Sequence, residues 1–196
     1  MLQAEFSAVP IPFNDVEEQS QPGSAGYLKL EASPDYACCL GALLVISARG
    51  EPLEFGYNRV RVPEPFLWRK GDLRRHIQRR LTASLLSVCS QQPRLLLCLA
   101  SEVDAPLFGV DLQLEVPVAR VAPPVPHRVN PATGEVLEEE STPPQVAWQP
   151  AAPHDGSAAR LLFEHLTARG LLLEPFERAL IGLREVYGAA PFPSGA

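Results

Sequence analysis

The pattern of apolar and polar positions predicts several strands in the first half of the chain. A short strand candidate at 27–31 precedes an apolar run at 39–47, which is typical of a strand buried on both faces. A turn signal follows at 48–51, and apolar residues then alternate with polar residues or glycine at 53–57. The two segments that flank this turn predict an antiparallel hairpin.

The clearest helix in the pattern runs from Asp72 to about Gln91. On a helical wheel its apolar residues fall on one continuous face, which comprises Leu73, Ile77, Leu81, Leu85 and Val88. Pro93 ends this helix, and the apolar run at 95–100 is typical of a buried strand. A strand, a helix and a second strand in succession favour parallel neighbours in one sheet.

The second half of the chain predicts one more strand and two helices. Regular alternation at 110–118 indicates a strand with one buried face and one solvent face. Ser157 can cap a helix that ends near 169, and Pro175 suits the first turn of another that ends near 188. The predicted fold class is α/β, with α+β as the alternative. It has a mixed sheet, an N-terminal antiparallel hairpin, one long packed helix and a C-terminal two-helix element.

Proline marks the domain organisation. The chain has 21 prolines in 196 residues, about twice the average usage, and eight of them lie at 121–156. We therefore predict five segments: a flexible tail at 1–24, an α/β core at 25–120, a proline-rich connection at 121–156 with room for a short hairpin, a two-helix element at 157–188 that docks on the core, and a frayed tail at 189–196.

The first 20 residues contain no basic residue, and the longest apolar run, at 37–46, has ten residues. A secretory signal needs a basic start, and a membrane-spanning helix needs about 20 apolar residues. The four cysteines match no zinc-site spacing and are interpreted as buried thiols in a reducing compartment. These features predict a cytoplasmic protein with no membrane association and no metal or other cofactor.

Charge is distributed unevenly along the chain. The window 59–80 carries eight basic and two acidic residues, whereas the other residues carry nine basic and 21 acidic ones, for a net charge of −6. Such a basic segment can bind an acidic protein partner, nucleic acid or another polyanion, and a tryptophan within it can stack on a base. The candidate anion-binding or partner-binding residues are Trp68, Arg69, Lys70, Arg74, Arg75 and Arg79.

The position of two of these arginines needs a compensating negative charge. Arg74 and Arg75 lie in the first turn of the predicted helix, where the helix dipole opposes positive charge. Either the internal carboxylates at 138–140 or an external anion can supply that compensation.

Catalytic motifs for nucleophile elbows, phosphate loops and zinc proteases do not occur in the sequence. Weak catalytic candidates are Glu102 and Asp104, which follow the strand at 95–100 and therefore lie at its carboxyl end. With a third carboxylate from the hairpin, Glu54, they could hold a divalent metal ion. The order hairpin, helix, strand resembles the opening of a ribonuclease H-like sheet, although the usual aspartate of the first strand has no counterpart at 42–47.

Three functional hypotheses follow. The absence of catalytic motifs and the arginine-rich helix favour a non-enzymatic binding or assembly protein that acts through a protein partner or self-association. One alternative is a metal-dependent nuclease or phosphoesterase with a ribonuclease H-like sheet that uses Glu54, Glu102 and Asp104. The other is a nucleic-acid-binding protein that uses the arginine-rich segment 59–80.

Overall fold

The fold is seen in a computed structural model that describes residues 23–34, 36–62, 64–124 and 143–188. Six strands occur there: β1 (Ser24–Ala32), β2 (Cys38–Ser47), β3 (Pro52–Arg61), β4 (Leu95–Leu99), β5 (Val118–Ala122) and β6 (Gln145–Gln149). The helices are α1 (Lys70–Val88), α2 (Ala158–Ala168) and α3 (Glu174–Tyr187). The strands form one mixed sheet in the order β3-β2-β1-β4-β5-β6, so the predicted α/β class is confirmed.

The strand β1 lies in the middle of this sheet. It pairs antiparallel with β2 on one side and parallel with β4 on the other, and β5 continues the parallel set. The predicted hairpin is confirmed, because β2 pairs antiparallel with β3. The parallel neighbour of β4 is β1, however, and not the strand that directly precedes α1. In chain order the first strand of the sheet is therefore β1. The segment 42–47, which contains no acidic residue and was predicted as part of the first strand, belongs to the second strand, β2.

Helices cover both faces of the sheet. On one face α1 packs through Leu73, Ile77, Leu81 and Leu85, each at most 3% exposed. On the other face α3 buries Phe176, Ala179 and Leu183 against β1 and β2, and α2 buries Leu162 and Leu166 next to β4. Alternate side chains of a strand point to opposite faces, so a strand that is covered by helices on both faces must be apolar on both sides. That requirement explains why β2 is buried along its whole length.

The prediction that Val88 belongs to the buried face of α1 is wrong. Val88 is 66% exposed and ends the helix, and the chain turns away there through the three residues that follow. The wheel gives the direction of a side chain but not how much packs around it: Val88 lies over Gly56 of the edge strand β3, which has no side chain to cover it. Burial on α1 is therefore confined to the four preceding apolar positions and the polar residues beside them.

The predicted strand at 110–118 does not form. Its apolar residues Leu112, Leu114 and Val116 pack against the α1 side of the core from a loop, with one isolated bridge between Phe108 and Leu112. Gly109 just before them has a φ of 99°, a conformation that breaks an extended strand. Regular pairing begins at β5, because β4 offers its free edge there.

The sheet also extends beyond the predicted core. Its edge strand β6 lies inside the segment predicted as a proline-rich connection, and pairs antiparallel with β5. The predicted N-terminal tail up to residue 22, the short hairpin near 128–136 and the last eight residues lie outside the described residues. Among the helices of the described ranges, none has the length and apolar character needed to cross a membrane.

Candidate functional site

The carboxyl ends of β1 and β4 meet at one edge of the sheet, where α/β proteins commonly bind ligands. The loop after β4 places Glu102 at this edge. The Glu102 carboxylate forms an ion pair with the Lys29 ammonium group and accepts a hydrogen bond of 3.0 Å from the Leu30 N–H. The last pair of β1 with β4 joins Leu28 to Cys98, so Glu102 satisfies a β1 donor beyond that pair.

This ion pair is largely shielded from water. Lys29 is 9% exposed although it lies on a central strand, and the side chain of Glu102 is 16% exposed. Burial raises the pKa of Glu102, and the hydrogen bond and charge of Lys29 work against that rise. A buried charge without a partner is costly, so each group stabilises the other in its charged form.

Two further side chains fix the loop that carries Glu102. The Gln78 amide of α1 donates to the Glu102 carbonyl oxygen at 2.7 Å, and its oxygen accepts from the Asp104 N–H at 3.2 Å. The Arg120 guanidinium of β5 donates to the carbonyl oxygens of Val103 and Ala100 at 2.7 and 3.3 Å. The loop is therefore held from three elements and is pre-organised.

Asp104 faces a different partner from Glu102. Its carboxylate lies 3.0 Å from an Arg74 nitrogen, and the same guanidinium contacts the Ser101 carbonyl oxygen and the Tyr36 hydroxyl at 3.2 and 3.4 Å. Beside this cluster lies a pocket of about 160 Å³ between the sheet and α1, with Leu30, Cys39, Ile77 and Leu81 as apolar walls. The predicted anion-binding Arg74 is thus paired internally.

Glu54 lies far from both of these carboxylates. It accepts hydrogen bonds from the N–H groups of Ser90 and Gln91 just beyond the end of α1, and these bonds lower its pKa. Glu102 contacts the same helix at Gln78, ten residues before its last residue, Val88. A helix rises about 1.5 Å per residue, so the two residues meet this helix at points about 15 Å apart along its axis.

The three predicted carboxylates therefore do not form a cluster. The described residues contain no group of three or more His, Cys, Asp or Glu side chains that could hold a metal ion. A divalent cation needs several oxygen ligands with free lone pairs. Here the Lys29 ammonium already occupies the cation position beside Glu102. The residues at this edge do not fit a divalent metal ion.

The predicted basic residues divide into paired and unpaired groups. Arg75 forms a two-pronged ion pair with Asp111, at 2.6 and 2.7 Å, and this hydrogen bonding lowers the pKa of the aspartate. An internal carboxylate thus compensates Arg75, although it is not one of the acidic residues at 138–140, which lie outside the described residues. Within the window 69–80, four exposed basic side chains have no ion-pair partner in the described ranges; we call them the basic face: Arg69, Lys70, Arg79 and Arg80.

An exposed aromatic segment adjoins the basic face. Phe66 and Leu67 are 79% and 70% exposed, and Trp68 is 41% exposed. The indole of Trp68 packs on the His76 ring with centroids 4.9 Å apart. His76 in turn lines a groove with Arg79 and Arg80, which extends to Asp111 and Leu112. The aromatic segment and part of the basic face therefore form one continuous surface.

The charge of the described part differs from that of the whole chain. The described ranges hold 16 basic and 14 acidic residues, whereas the remaining positions hold one basic and nine acidic residues. The net acidity of the protein thus comes from residues outside the described ranges, and the described residues by themselves are mildly positive.

Sequence reasoning missed Lys29, Gln78 and Arg120, which organise the edge of the sheet. Lys29 carries a detectable signal, since it is a single basic residue between two leucines of a strand. Gln78 falls next to an apolar position of α1, and its burial to 5% exposure could not be anticipated. Arg120 lies two residues beyond the strand predicted at 110–118, so the alternation pattern gave it no place in the sheet.

Comparisons with known proteins identify a shared fold. No family model and no curated protein match the chain. The fold is similar to that of endonuclease V from Streptomyces avermitilis, with 16% identity, a TM-score of 0.52 and coverage of 88% of this chain and 87% of that chain. At this identity the similarity establishes the fold alone.

Two structures of endonuclease V from Ciona intestinalis, in complex with DNA containing an inosine followed by a ribo-adenosine, align over a shorter length. They show 15% and 13% identity, each with a TM-score of 0.35, over 51% and 54% of this chain. The chain spans about half the length of these structures, at 45% and 47%.

Replacing Lys29 with methionine is expected to destabilise the fold, because the Glu102 carboxylate would stay buried without its partner. Removing one member of a buried ion pair costs about 3–5 kcal/mol of unfolding free energy. The double variant Lys29→Met/Glu102→Gln should regain most of this loss, since the neutral amide can still accept the Leu30 N–H. Urea unfolding measures each protein, and Glu31→Gln on the same strand is the matched control.

The loss in the Lys29→Met variant is also expected to depend on pH. Without Lys29 the folded-state pKa of Glu102 rises further above its value in the unfolded chain. Stability is then lost as the pH rises from the unfolded value through the folded one, and is regained on acidification. The deficit should be largest at neutral pH. A deficit that does not change with pH would contradict the role assigned to Glu102.

Proposed function

We propose that the chain is a nucleic-acid-binding protein that uses the basic face and the adjoining aromatic segment. The observation that carries this proposal is the groove in which His76 joins exposed Trp68 to Arg79 and Arg80. Phosphates bind unpaired basic side chains, and unstacked bases pack on exposed aromatic rings. Both kinds of group lie here side by side.

The pairing of the other arginines supports this choice of surface. Arg74 and Arg75 have carboxylate partners within the fold, whereas the four members of the basic face have none among the described residues. A bound phosphate would give these four side chains a counter-charge, which among them only Arg79 receives within the described part of the fold, from the nearby Asp111 carboxylate. Charge-assisted contacts of this kind dominate the affinity of proteins for nucleic acid.

The shared fold supports nucleic acid over a protein partner. In the sequence, the absence of catalytic motifs favours a protein partner. The fold, in contrast, is similar to that of a protein named as an endonuclease. A fold does not determine function, so the similarity supports the proposal only together with the surface. The nuclease hypothesis also has nucleic acid as the ligand, but it needs a metal site. Glu54, Glu102 and Asp104 do not form one.

Binding should weaken steeply with salt if the basic face contacts phosphates. Fluorescence anisotropy with labelled single-stranded and duplex DNA measures the affinity over a salt series. For duplex DNA the slope of log K against log salt is about −0.9 for each phosphate contacted. Neutralising Arg79 with Arg79→Ala should reduce the magnitude of that slope by about one contact.

The matched control for this measurement is Arg184→Ala, an arginine of α3 on the opposite face of the sheet. It changes the net charge equally but leaves the basic face intact. Absence of binding at low salt would overturn the proposal. Equal effects of Arg79→Ala and Arg184→Ala would show that net charge and not this surface attracts the nucleic acid.

Trp68 is expected to stack on an unpaired base. Trp68→Ala should therefore weaken binding of single-stranded DNA by about tenfold, since base stacking on an aromatic side chain contributes about 1–3 kcal/mol. The chain has two tryptophans, so the Trp148→Phe background leaves Trp68 as the fluorophore. Quenching of its emission by single-stranded DNA in this background is the expected signal. Unchanged emission at saturation would exclude stacking.

No cleavage is expected with Mg²⁺, with Mn²⁺ or with a chelator, because Lys29 occupies the cation position beside Glu102. Labelled DNA, with and without inosine, tests this expectation in each condition. Cleavage that requires the metal ion and disappears in Glu102→Gln would contradict the absence of a metal site and support the nuclease hypothesis instead. The anisotropy series above would then still show whether the basic face binds the DNA.

A further inference from the structure

The pocket of about 160 Å³ beside Arg74 lies between α1 and the carboxyl end of β1. Five apolar side chains form its walls: Leu30 and Ala32 of β1, Cys39 of β2, and Ile77 and Leu81 of α1. All of them except Ala32 are buried. An apolar cavity of about 150 Å³ in a protein holds one benzene molecule. The pocket therefore has room for a ligand with a single aromatic ring.

The other side of the pocket is polar, and two of its groups can form hydrogen bonds that the fold does not use. The Tyr36 hydroxyl accepts from Arg74 at 3.4 Å, and no described residue accepts its own O–H. Arg74 donates through both terminal nitrogens, whereas its Nε is buried and has no partner among the described residues. A buried donor without an acceptor is costly. Because both residues line the pocket, its polar side favours a ligand with an acceptor atom.

Tyr36 is held in a strained backbone conformation. Its φ is 57°, a left-handed value that is rare for a residue with a bulky side chain. Ser33 fixes the turn, since its carbonyl oxygen accepts from the Tyr36 N–H at 2.9 Å and its hydroxyl accepts from the Cys38 N–H at 3.0 Å. Residues kept in such conformations cluster at binding and catalytic sites. The conformation therefore supports a binding role for Tyr36.

The charged side chains around the pocket favour an uncharged ligand. Arg74 is already paired with Asp104 at 3.0 Å, Glu102 forms its ion pair with Lys29, and Glu31 also lines the pocket. A ligand carboxylate would add a negative charge beside Glu31 and Glu102, and a ligand ammonium group would add a positive charge beside Arg74. Burial of a charge without compensation is costly, whereas a hydroxyl group avoids this cost.

We propose that this pocket binds a small uncharged phenol-type molecule. The aromatic ring packs between Leu30, Ile77 and Leu81, and the ligand's hydroxyl oxygen accepts a hydrogen bond from the Tyr36 O–H. The carboxyl ends of parallel strands, where this pocket lies, are the usual location of ligands in open α/β sheets. The pocket is lined by no residue of the basic face, so this inference goes beyond nucleic-acid binding and does not depend on it.

Phenol and toluene test the proposal, because they have nearly the same shape and differ in the hydroxyl group. The concentration dependence of amide shifts in ¹H–¹⁵N NMR spectra of the full chain measures the affinity for each. A purely apolar cavity prefers toluene, since burial of a hydroxyl without a partner is costly. Here phenol should bind about tenfold more tightly than toluene, the effect of about one net hydrogen bond. Benzoate should bind more weakly than phenol because of its charge.

Two variants locate the ligand in this pocket. Tyr36→Phe removes the hydroxyl and keeps the ring, so it should abolish the preference for phenol and leave the affinity for toluene unchanged. Ile77→Phe fills the pocket and should abolish the binding of both molecules. The matched control is Ile181→Phe, at an exposed position of α3 on the opposite face of the sheet, which should leave binding unchanged. Urea unfolding verifies that each variant is folded.

The proposal fails if phenol shows no saturable binding, or if toluene or benzoate binds as tightly as phenol. It also fails if Tyr36→Phe keeps the full preference for phenol. Phenol binding that persists in folded Ile77→Phe would place the ligand outside this pocket. None of these outcomes bears on nucleic-acid binding, which uses a different surface.

Discussion

A lysine in the middle of a central strand sets the main constraint on this protein. The sheet is covered by helices on both faces, so Lys29 cannot direct its ammonium group into bulk water. It pairs with Glu102, and Glu102 must be delivered by the loop after the neighbouring parallel strand. Buried pairs of this kind fix one arrangement more than they add stability, because desolvation offsets much of the attraction. The position of that loop, its contacts with Gln78 and Arg120, and the chemistry of the sheet edge all follow from this pair.

The edge of the sheet illustrates how a fold and its chemistry can differ. The carboxyl ends of parallel strands are the usual location of sites in α/β proteins, and here they carry a saturated ion pair. Within the basic window 69–80, the side chains without an ion-pair partner among the described residues lie on the outer surface of α1 and the segment before it. Endonuclease V from Streptomyces avermitilis shares the fold at 16% identity, and identity of this size leaves the site free to differ. The proposed binding surface therefore rests on exposure and charge, with the fold as support.

Much of the local structure could be predicted from the sequence. The helix face of Leu73, Ile77, Leu81 and Leu85 and the β2–β3 hairpin both follow from periodicity, because each depends on residues close in sequence. The strand predicted at 110–118 failed for the opposite reason. Apolar and polar residues do alternate there, but a strand forms only where it can pair with another strand. The strand β4 pairs with this part of the chain only from Val118 onward. The same dependence hid β6 within a proline-rich segment.

The sequence by itself determined the fold class, the long helix, the hairpin and the concentration of positive charge at 59–80. Tertiary structure alone decided which strands are neighbours and which charges are paired. It brought Lys29 to Glu102 and Arg75 to Asp111, and it placed Glu54 beyond the opposite end of α1 from Asp104. The physical reason is that periodicity encodes the direction of a side chain, whereas pairing depends on contacts between residues far apart in the chain. Those long-range contacts decide which charged side chains are paired and which stay exposed.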